Sequence, residues 1–165
     1  MKPKIAIYPG TFDPITLGHV DIIERSCRVF DKVIVTLAIN PKKTSLFSFS
    51  ERKEMIEDAV KHLENVSVEE YDGLIVDLAQ KVGASAIIRG LRAISDFEFE
   101  FQMALMNRSL AKEIDTVFFM PHERFTYLSS SIIRNVASFR GDIKKLVPNL
   151  VAVKLIEKFE KESNQ

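Results

Sequence analysis

The sequence predicts an α/β domain built on a five-stranded parallel sheet. Short apolar runs, each suited to a buried strand, fall at residues 4–8, 32–39, 66–70, 85–88 and 116–120. Between them lie segments whose apolar residues recur at helical spacing. Strands and helices that alternate in this way form right-handed βαβ units with parallel strands.

The bulk composition fits one such domain over residues 1–165, of the doubly wound, Rossmann-like type with C-terminal helices. Hydrophobic residues make up 46% and charged residues 28% of the chain, which are ordinary values for a globular protein. The formal net charge of +0 offers no cation excess for a broad nucleic-acid surface. The apolar runs are too short for a signal peptide or a membrane span, and a single cysteine excludes an internal disulfide. We therefore expect a cytoplasmic protein without nucleic-acid or membrane partners.

The first three helices have recognisable boundaries. Helical spacing covers residues 18–30, where Cys27 falls on the apolar stripe and is interpreted as a core thiol. Ser48 and Glu51 have the spacing of a capping box at the start of the second helix. A third, short helix begins near residue 73 and is predicted to stop at Gly83.

The fourth helix is predicted to begin at a second capping-box pair, Ser95 and Glu98, and to extend to about residue 112. It is apolar on two stripes, and a helix apolar nearly all round is buried on two sides. The second stripe therefore predicts a subunit interface. It comprises Phe99, Met103, Met106 and Leu110.

Two further helices are expected near the C-terminus. A run of cap-competent serines at 129–131 precedes the first, which is predicted to end at Gly141. Pro148 suits the first turn of the second.

The unusual residues of the chain follow the predicted strands. Polar loops lie at residues 11–19, 40–44, 89–92 and 121–131. Ligands of open α/β sheets bind at the carboxyl ends of the strands, near the point where the strand order switches. These loops are therefore expected to converge on one site.

The loop after the first strand has the features of a phosphate-binding turn. Pro9 and Pro14 stiffen it, and Gly10 and Gly18 permit a sharp turn or a close approach to a ligand. The helix that follows offers unpaired N–H groups and a positive dipole end. His19 falls in its first turn, where the ring can face a bound anion.

The polar side chains of these loops are hydrogen-bond donors and cations, without an evident acid–base or nucleophile–base pair. They are Thr11, Thr16, His19, Lys43, Arg89, Arg92 and the serines at 129–131. Such a set binds phosphates and stabilises the charge that develops in phosphoryl or nucleotidyl transfer, for which the substrate supplies the nucleophile. The Walker and Gly-x-Gly-x-x-Gly patterns are absent, which argues against ordinary kinases, GTPases and dehydrogenases.

Two signatures resemble those of a known superfamily. Thr-Leu-Gly-His at 16–19 matches the Thr-x-Gly-His motif of the nucleotidyltransferases related to class I aminoacyl-tRNA synthetases. The segment 128–134 resembles their Ile-Ser-Ser-Thr-x-x-Arg motif, with Leu128 for Ile and Ser131 for Thr. The longer string Tyr-Pro-Gly-Thr-Phe-Asp-Pro-Ile-Thr-Leu-Gly-His at 8–19 resembles the bacterial phosphopantetheine adenylyltransferase family. Arg-Gly-Leu-Arg-Ala at 89–93 and Met-Asn-Arg at 106–108 extend the resemblance over essentially the whole chain.

This resemblance implies a reaction in which ATP and 4′-phosphopantetheine give dephospho-coenzyme A and pyrophosphate, with Mg²⁺. The substrate phosphate would attack the α-phosphorus of ATP in line, without a covalent enzyme intermediate. It also implies a homo-oligomer, a hexamer, and coenzyme A as a further ligand because it shares the pantetheine arm. No protein ligands for the metal are predicted, since ATP phosphates and water commonly hold magnesium.

The resemblance also assigns residues to the acceptor side of the site. His19 would contact the ATP phosphates and stabilise the transition state. Thr11 and Lys43 would hold the phosphate of phosphopantetheine, and Lys43 would also neutralise charge as the new bond forms. Arg89 would bind phosphopantetheine, with a contact from Ile75.

On the nucleotide side, the resemblance places Arg92 on the ATP phosphates. The residues expected to act in catalysis are His19, Lys43, Arg92 and Ser130. Those expected to complete the ATP site are Phe12, Gly90, Leu91, Glu100, Phe125, Thr126, Tyr127, Leu128, Ser129, Ser130 and Ser131, with Ser130 and Ser131 hydrogen-bonding phosphate.

Several of these residues have a structural alternative. Ser129 is interpreted first as a helix cap. Arg89 and Arg92 could pair with acids of the next helix, such as Asp96 or Glu98. Glu100, on a charged helix, is by default an exposed carboxylate.

Three functions fit the sequence. The first is phosphopantetheine adenylyl transfer, favoured by Lys43, the 89–92 loop and the phenylalanine-rich fourth helix. The second is a sibling transferase acting on nicotinamide mononucleotide, glycerol phosphate or a choline-type phosphate. The third is a non-catalytic nucleotide-binding or RNA-associated module, against which the neutral charge and the set of transfer groups weigh.

Overall fold

The structure is a computed structural model that describes residues 2–39 and 44–163, without the side chains of residues 94–95 and 162–163. Lys43 and most of the predicted 40–44 loop therefore lie outside the described residues. The strands are β1 (Ile5–Gly10), β2 (Lys32–Ala38), β3 (Val66–Tyr71), β4 (Ala86–Gly90) and β5 (Asp115–Phe119). The helices are α1 (Leu17–Ser26), α2 (Phe49–Val60), α3 (Ile75–Val82), α4 (Ile94–Leu110), α5 (Ser130–Ser138) and α6 (Asn149–Ser163).

All pairings within the sheet are parallel, and the strand order is β3-β2-β1-β4-β5. The chain winds outward from β1 to β3, and the connection through α3 then carries it back to the other side of β1. Ile7 of β1 consequently faces Ile34 of β2 on one side and Ile87 of β4 on the other. The predicted α/β class with a five-stranded parallel sheet is confirmed, and the switch in strand order lies between β1 and β4.

Helices cover both faces of the sheet because alternate residues of the central strands point to opposite sides. Ala6 and Tyr8 of β1 belong to a cluster that includes residues of α1, α2, α5 and α6. Ile7 belongs to a second cluster with Val76 and Ala79 of α3. In the described residues, no helix is long and apolar enough to cross a bilayer.

Helix α4 differs from its prediction at its start and on its surface. It begins at Ile94, and Ala93 is its N-cap without a side-chain capping bond, so the predicted Ser95 cap is wrong. The predicted interface stripe is exposed in the isolated chain, with Phe99 62% exposed. Phe97 and Phe101 of the other stripe are also 47% exposed, which leaves an unusually apolar surface.

The glycines that end helices act in two ways. Gly83 ends α3 as predicted, with φ of 69° in the left-handed conformation that favours glycine. Helix α5 ends earlier than predicted, at Ser138, and the positive φ of 58° belongs to Arg140. Gly141 is required for space, because a Cβ there would lie 2.5 Å from Val136 Cγ1.

Candidate active site

A cleft of about 260 Å³ opens at the carboxyl ends of β1 and β4, where the strand order switches. The structure brings most of the predicted site residues onto its walls. These are Thr11, Phe12, His19, Arg89, Gly90, Arg92, Glu100, Phe125, Leu128, Ser129 and Ser130. Three of the predicted loops therefore converge on this cleft, as parallel strand ends require.

Other predicted residues lie off the cleft wall. They are Ile75, Leu91, Thr126, Tyr127 and Ser131. The Leu91 N–H donates to the Phe119 carbonyl at 3.0 Å, and Thr126 Oγ1 donates to the Glu123 carbonyl at 2.8 Å. Tyr127 is 58% exposed to solvent. Their contacts with a ligand stay predictions.

The loop after β1 is held by partners from distant parts of the chain. The buried Asp13 carboxylate accepts hydrogen bonds from the Leu46 and Phe47 N–H groups at 2.8 and 3.0 Å. Arg134 donates to the Asp13 carbonyl and lies 3.5 Å from its carboxylate. Arg52 Nη1 donates to the Thr11 carbonyl at 2.9 Å. These bonds fix the loop before a ligand binds.

Asp13, Arg52 and Arg134 were missed as site-building residues. Asp13 and Arg134 lie within the motif strings, which was the only available signal, and no sequence spacing indicates their partners. Arg52 lies inside α2 and is 7% exposed.

The serines at the start of α5 have different partners, and the predicted cap role of Ser129 is confirmed. Ser129 is the N-cap, and its hydroxyl accepts the Ile132 N–H at 3.1 Å. The Ser130 hydroxyl donates its proton to the Pro14 carbonyl at 2.7 Å, so that proton is not directed at a phosphate. The N–H groups of Ser130 and Ser131, in the first turn of α5, have no acceptor within the helix and suit an anion.

His19 is the third residue of α1 and forms a reciprocal cap with Thr16. Its Nδ1 accepts the Thr16 N–H at 3.0 Å, while its own N–H donates to Thr16 Oγ1 at 3.4 Å. Burial, reinforced by the Arg92 charge, lowers the pKa of His19 to about 4. Since Nδ1 is an acceptor, the ring proton of the neutral imidazole is on Nε2. At neutral pH, His19 is therefore a hydrogen-bond donor on the cleft wall.

Arg89 is held by a bidentate ion pair with Glu100. Its Nε and Nη2 lie 2.7 and 2.6 Å from the two carboxylate oxygens, and Nη1 donates to the Pro9 carbonyl at 3.2 Å. Glu100 is only 8% exposed, so its interpretation as an exposed carboxylate is wrong. A guanidinium has five N–H donors, and these bonds leave two for a ligand.

Arg92 links two walls of the cleft. Its Nε donates to Asp96 at 3.1 Å, and its Nη1 donates to the Leu128 carbonyl at 3.0 Å. The alternative pairing with Asp96 is therefore realised, while the Arg92 side chain remains 41% exposed. The pair orients the cation without burying it.

The cleft suits phosphates better than it suits a free metal ion. In the described ranges, no group of three or more His, Cys, Asp or Glu side chains could hold a metal. The two carboxylates on the wall, Asp96 and Glu100, both pair with arginines. The groups that remain for a ligand are N–H donors and positive charge.

Comparison with solved structures confirms the fold. A protein from Vibrio parahaemolyticus assigned as a nicotinate-nucleotide adenylyltransferase superposes with a TM-score of 0.71. The match covers 94% of this chain and 99% of that one, with 23% sequence identity. At this identity the likeness concerns the Rossmann-like fold alone.

Comparison with protein families is more specific. Residues 7–136 match the family model described as cytidylyltransferase-like. The phosphopantetheine adenylyltransferase of Caldanaerobacter subterraneus subsp. tengcongensis is 51% identical over 158 residues, which cover 96% of this chain and 99% of the relative. That of Heliobacterium modesticaldum is 54% identical over 94% of this chain and 92% of the relative. That of Methylococcus capsulatus is 54% identical over 93% of this chain and 95% of the relative. Since this identity extends along almost the entire chain and both signature motifs line the cleft, the chain belongs to the phosphopantetheine adenylyltransferase family.

Proposed function

We propose that this chain transfers the adenylyl group of ATP to 4′-phosphopantetheine, giving dephospho-coenzyme A and pyrophosphate. The observation that carries the proposal is the set of hydrogen-bond donors on the cleft wall. It comprises the neutral imidazole of His19 and the positively charged side chains of Arg89 and Arg92, which suit phosphates. The named relatives, which share about half of its residues, supply the identity of the acceptor.

The chemistry requires alignment and charge stabilisation. An oxygen of the acceptor phosphate attacks the α-phosphorus of ATP, a new P–O bond forms, and the bond to the β-phosphate oxygen breaks in line with it. Pyrophosphate leaves with the electron pair of that bond. His19 Nε2–H donates to the α-phosphoryl group, where negative charge builds up in the transition state.

The two substrates are proposed to occupy opposite walls of the cleft. The two free N–H groups of Arg89, together with Thr11, bind the acceptor phosphate. Arg92, His19 and the first N–H groups of α5 bind the ATP phosphates. Lys43 remains a predicted acceptor ligand and lies outside the described residues.

Magnesium is proposed to arrive with ATP, held by its phosphates and by water. The support is that both carboxylates of the cleft wall already pair with arginines, so neither is free to bind the metal. No step of the transfer is assigned to the metal. Its contribution when bound is to neutralise part of the triphosphate charge.

The proposal includes a homo-oligomer, a hexamer by family resemblance, with α4 at a subunit interface. The support is the apolar surface of α4, on which Phe99, Leu105 and Met106 are each more than half exposed. We also propose the reducing cytoplasm as its compartment, which suits a chain with one cysteine.

A pyrophosphate-release assay tests the function directly. The purified chain is supplied with MgATP and, in separate reactions, 4′-phosphopantetheine, nicotinamide mononucleotide, glycerol 3-phosphate or phosphocholine. Release is expected only with phosphopantetheine, and the His19→Ala variant sets the background. Release with another acceptor alone would favour a sibling transferase. Nucleotide binding without release from any acceptor would favour a non-catalytic module.

A further inference from the structure

The hydroxyl of Tyr8 is a polar group on the cleft wall that the proposed roles leave unused. Tyr8 is 4% exposed, and its ring packs edge-on against Phe12 with 5.4 Å between ring centroids. The ring of His19 lies 6.5 Å away. In residues 2–39 and 44–163, the Tyr8 hydroxyl has no hydrogen-bond partner, and its oxygen is open to the cleft and not sealed in the core. The residue lines the cleft.

The position of this hydroxyl points to a ligand. It lies 3.8 Å from the place that a Cβ on Gly90 would take, which sets it beside the Arg-Gly-Leu-Arg segment at the end of β4. Arg89 and Arg92 are both close enough to act on it electrostatically. A hydroxyl that faces a cleft and has no partner in the protein keeps its hydrogen bond for water or for a ligand.

The chemistry of the missing partner follows from the neighbours. Burial raises the pKa of Tyr8 well above its ordinary value, so the phenol stays protonated and can donate. The nearby carboxylate of Glu100 already accepts from Arg89 through both oxygens. An acceptor that binds where both guanidinium charges act is an anion, and on the proposed function that anion is a phosphate.

We propose that the Tyr8 hydroxyl donates a hydrogen bond to a phosphoryl oxygen at the point where the two substrates meet. The assignment rests on the proposed function, because Arg89 is on the acceptor side of the cleft and Arg92 on the ATP side. The hydroxyl, which lies beside Gly90 of the segment that carries both arginines, contacts the oxygens of the pyrophosphate bridge that the transfer creates. Tyr8 is thus a substrate-binding residue for the reacting phosphates.

The Tyr8→Phe variant tests this role, since it keeps the ring that packs against Phe12 and removes only the hydroxyl. We expect kcat/KM to fall about 10- to 100-fold, the range for a hydrogen bond to a charged partner. Calorimetric titration with dephospho-coenzyme A, which contains the bridge, should show a matching loss of affinity. The unfolding temperature of the unliganded variant should stay close to that of the wild type, because the removed hydroxyl has no partner in the protein.

The matched control is Tyr71→Phe, the same change at a half-buried tyrosine at the end of β3 and off the cleft wall. Its kinetics and affinity should equal those of the wild type. An active wild type with a Tyr8→Phe variant within twofold of it in kcat/KM and affinity would overturn the Tyr8 assignment alone. A loss of activity accompanied by a lower unfolding temperature would assign Tyr8 a structural role and also overturn it. A wild type that neither turns over nor binds dephospho-coenzyme A would overturn the proposed function, and this assignment with it.

Discussion

Replacing Glu100 by Gln separates two roles for this carboxylate, direct contact with ATP and orientation of Arg89. The Gln amide has nearly the same shape as the carboxylate, but one of its two oxygens is replaced by an NH₂ group. That group faces an N–H of the Arg89 guanidinium, so one of the two hydrogen bonds becomes a contact between two donors. Removing one partner of a fully buried pair costs ~3–5 kcal/mol. Because the Arg89 side chain is 33% exposed, solvent screens part of the loss, and we expect about 2 kcal/mol. For a domain of this size, that is a fall of about 4–8 °C in unfolding temperature.

The kinetic effect of Glu100→Gln distinguishes the two roles. Arg89 loses one of its three fixed contacts, so its free N–H groups no longer point reliably at the acceptor phosphate. We expect the KM for phosphopantetheine to rise about tenfold, the scale of one weakened charge-assisted bond, with the KM for ATP little changed.

Thermal unfolding followed by circular dichroism, together with steady-state kinetics in both substrates, measures these effects. Asp96→Asn is the matched control for stability, because its pair with Arg92 is far more exposed and should contribute under ~1 kcal/mol. A rise confined to the KM for ATP would refute the orientation of Arg89 as the role of Glu100. So would an unchanged unfolding temperature with unchanged kinetics.

The remaining predictions concern the catalytic donor, the acceptor lysine and the apolar helix. His19→Ala should lower kcat by at least ~100-fold with the fold intact, and near-normal turnover in a pyrophosphate assay would contradict the role given to its Nε2–H. The pKa of His19 is about 4 in the folded chain and an ordinary 6.5 in the unfolded chain. As the pH falls, the unfolded chain therefore binds the proton first, and the free energy of unfolding decreases between about pH 6.5 and pH 4. Unfolding temperatures at pH 7.5 and 5.0 should therefore differ more for the wild type than for His19→Gln, and equal differences would argue against a buried neutral ring. Lys43→Ala should weaken phosphopantetheine binding more than ATP binding in calorimetry, and the reverse order would mean that the two half-sites are exchanged. Phe99→Asp should reduce the assembly size in sedimentation, and an unchanged mass would remove α4 from the interface.

Strands, helices and the converging loops were predictable because their signals are local. Apolar periodicity depends on neighbours a few residues apart, and Gly83 ends α3 by its own backbone preference. The local signals failed where two nearby residues could each mark the end of a helix. The Ser95–Glu98 pair has capping spacing, yet Ala93 takes the extended N-cap conformation and α4 begins at Ile94. The helix predicted to end at Gly141 likewise ends at Ser138, and the left-handed conformation is taken by Arg140.

The hydrogen bonds and ion pairs that hold the site were less predictable, because the residues they join are distant in sequence. Asp13 bonds to Phe47, 34 residues away, and to Arg134, 121 residues away. Arg52 reaches the Thr11 carbonyl across 41 residues. No periodicity encodes such pairs, since only the assembled sheet brings their elements together. The alternative interpretation of Glu100 as an exposed carboxylate was wrong for the same reason, because this carboxylate pairs with Arg89 in another element.

The reciprocal cap between Thr16 and His19 couples two things, the folding of the first turn of α1 and the orientation of the His19 imidazole. Active-site histidines are commonly oriented by a separate carboxylate, whereas here a backbone N–H sets the tautomer. The first turn of α1 therefore cannot fray without releasing the imidazole, so local opening of this turn and loss of the donor share one equilibrium constant. By linkage, phosphates that bind at this helix end favour the closed turn. Nucleotide binding should accordingly slow amide hydrogen exchange at Val20, whose N–H donates to the Thr16 carbonyl at 3.1 Å.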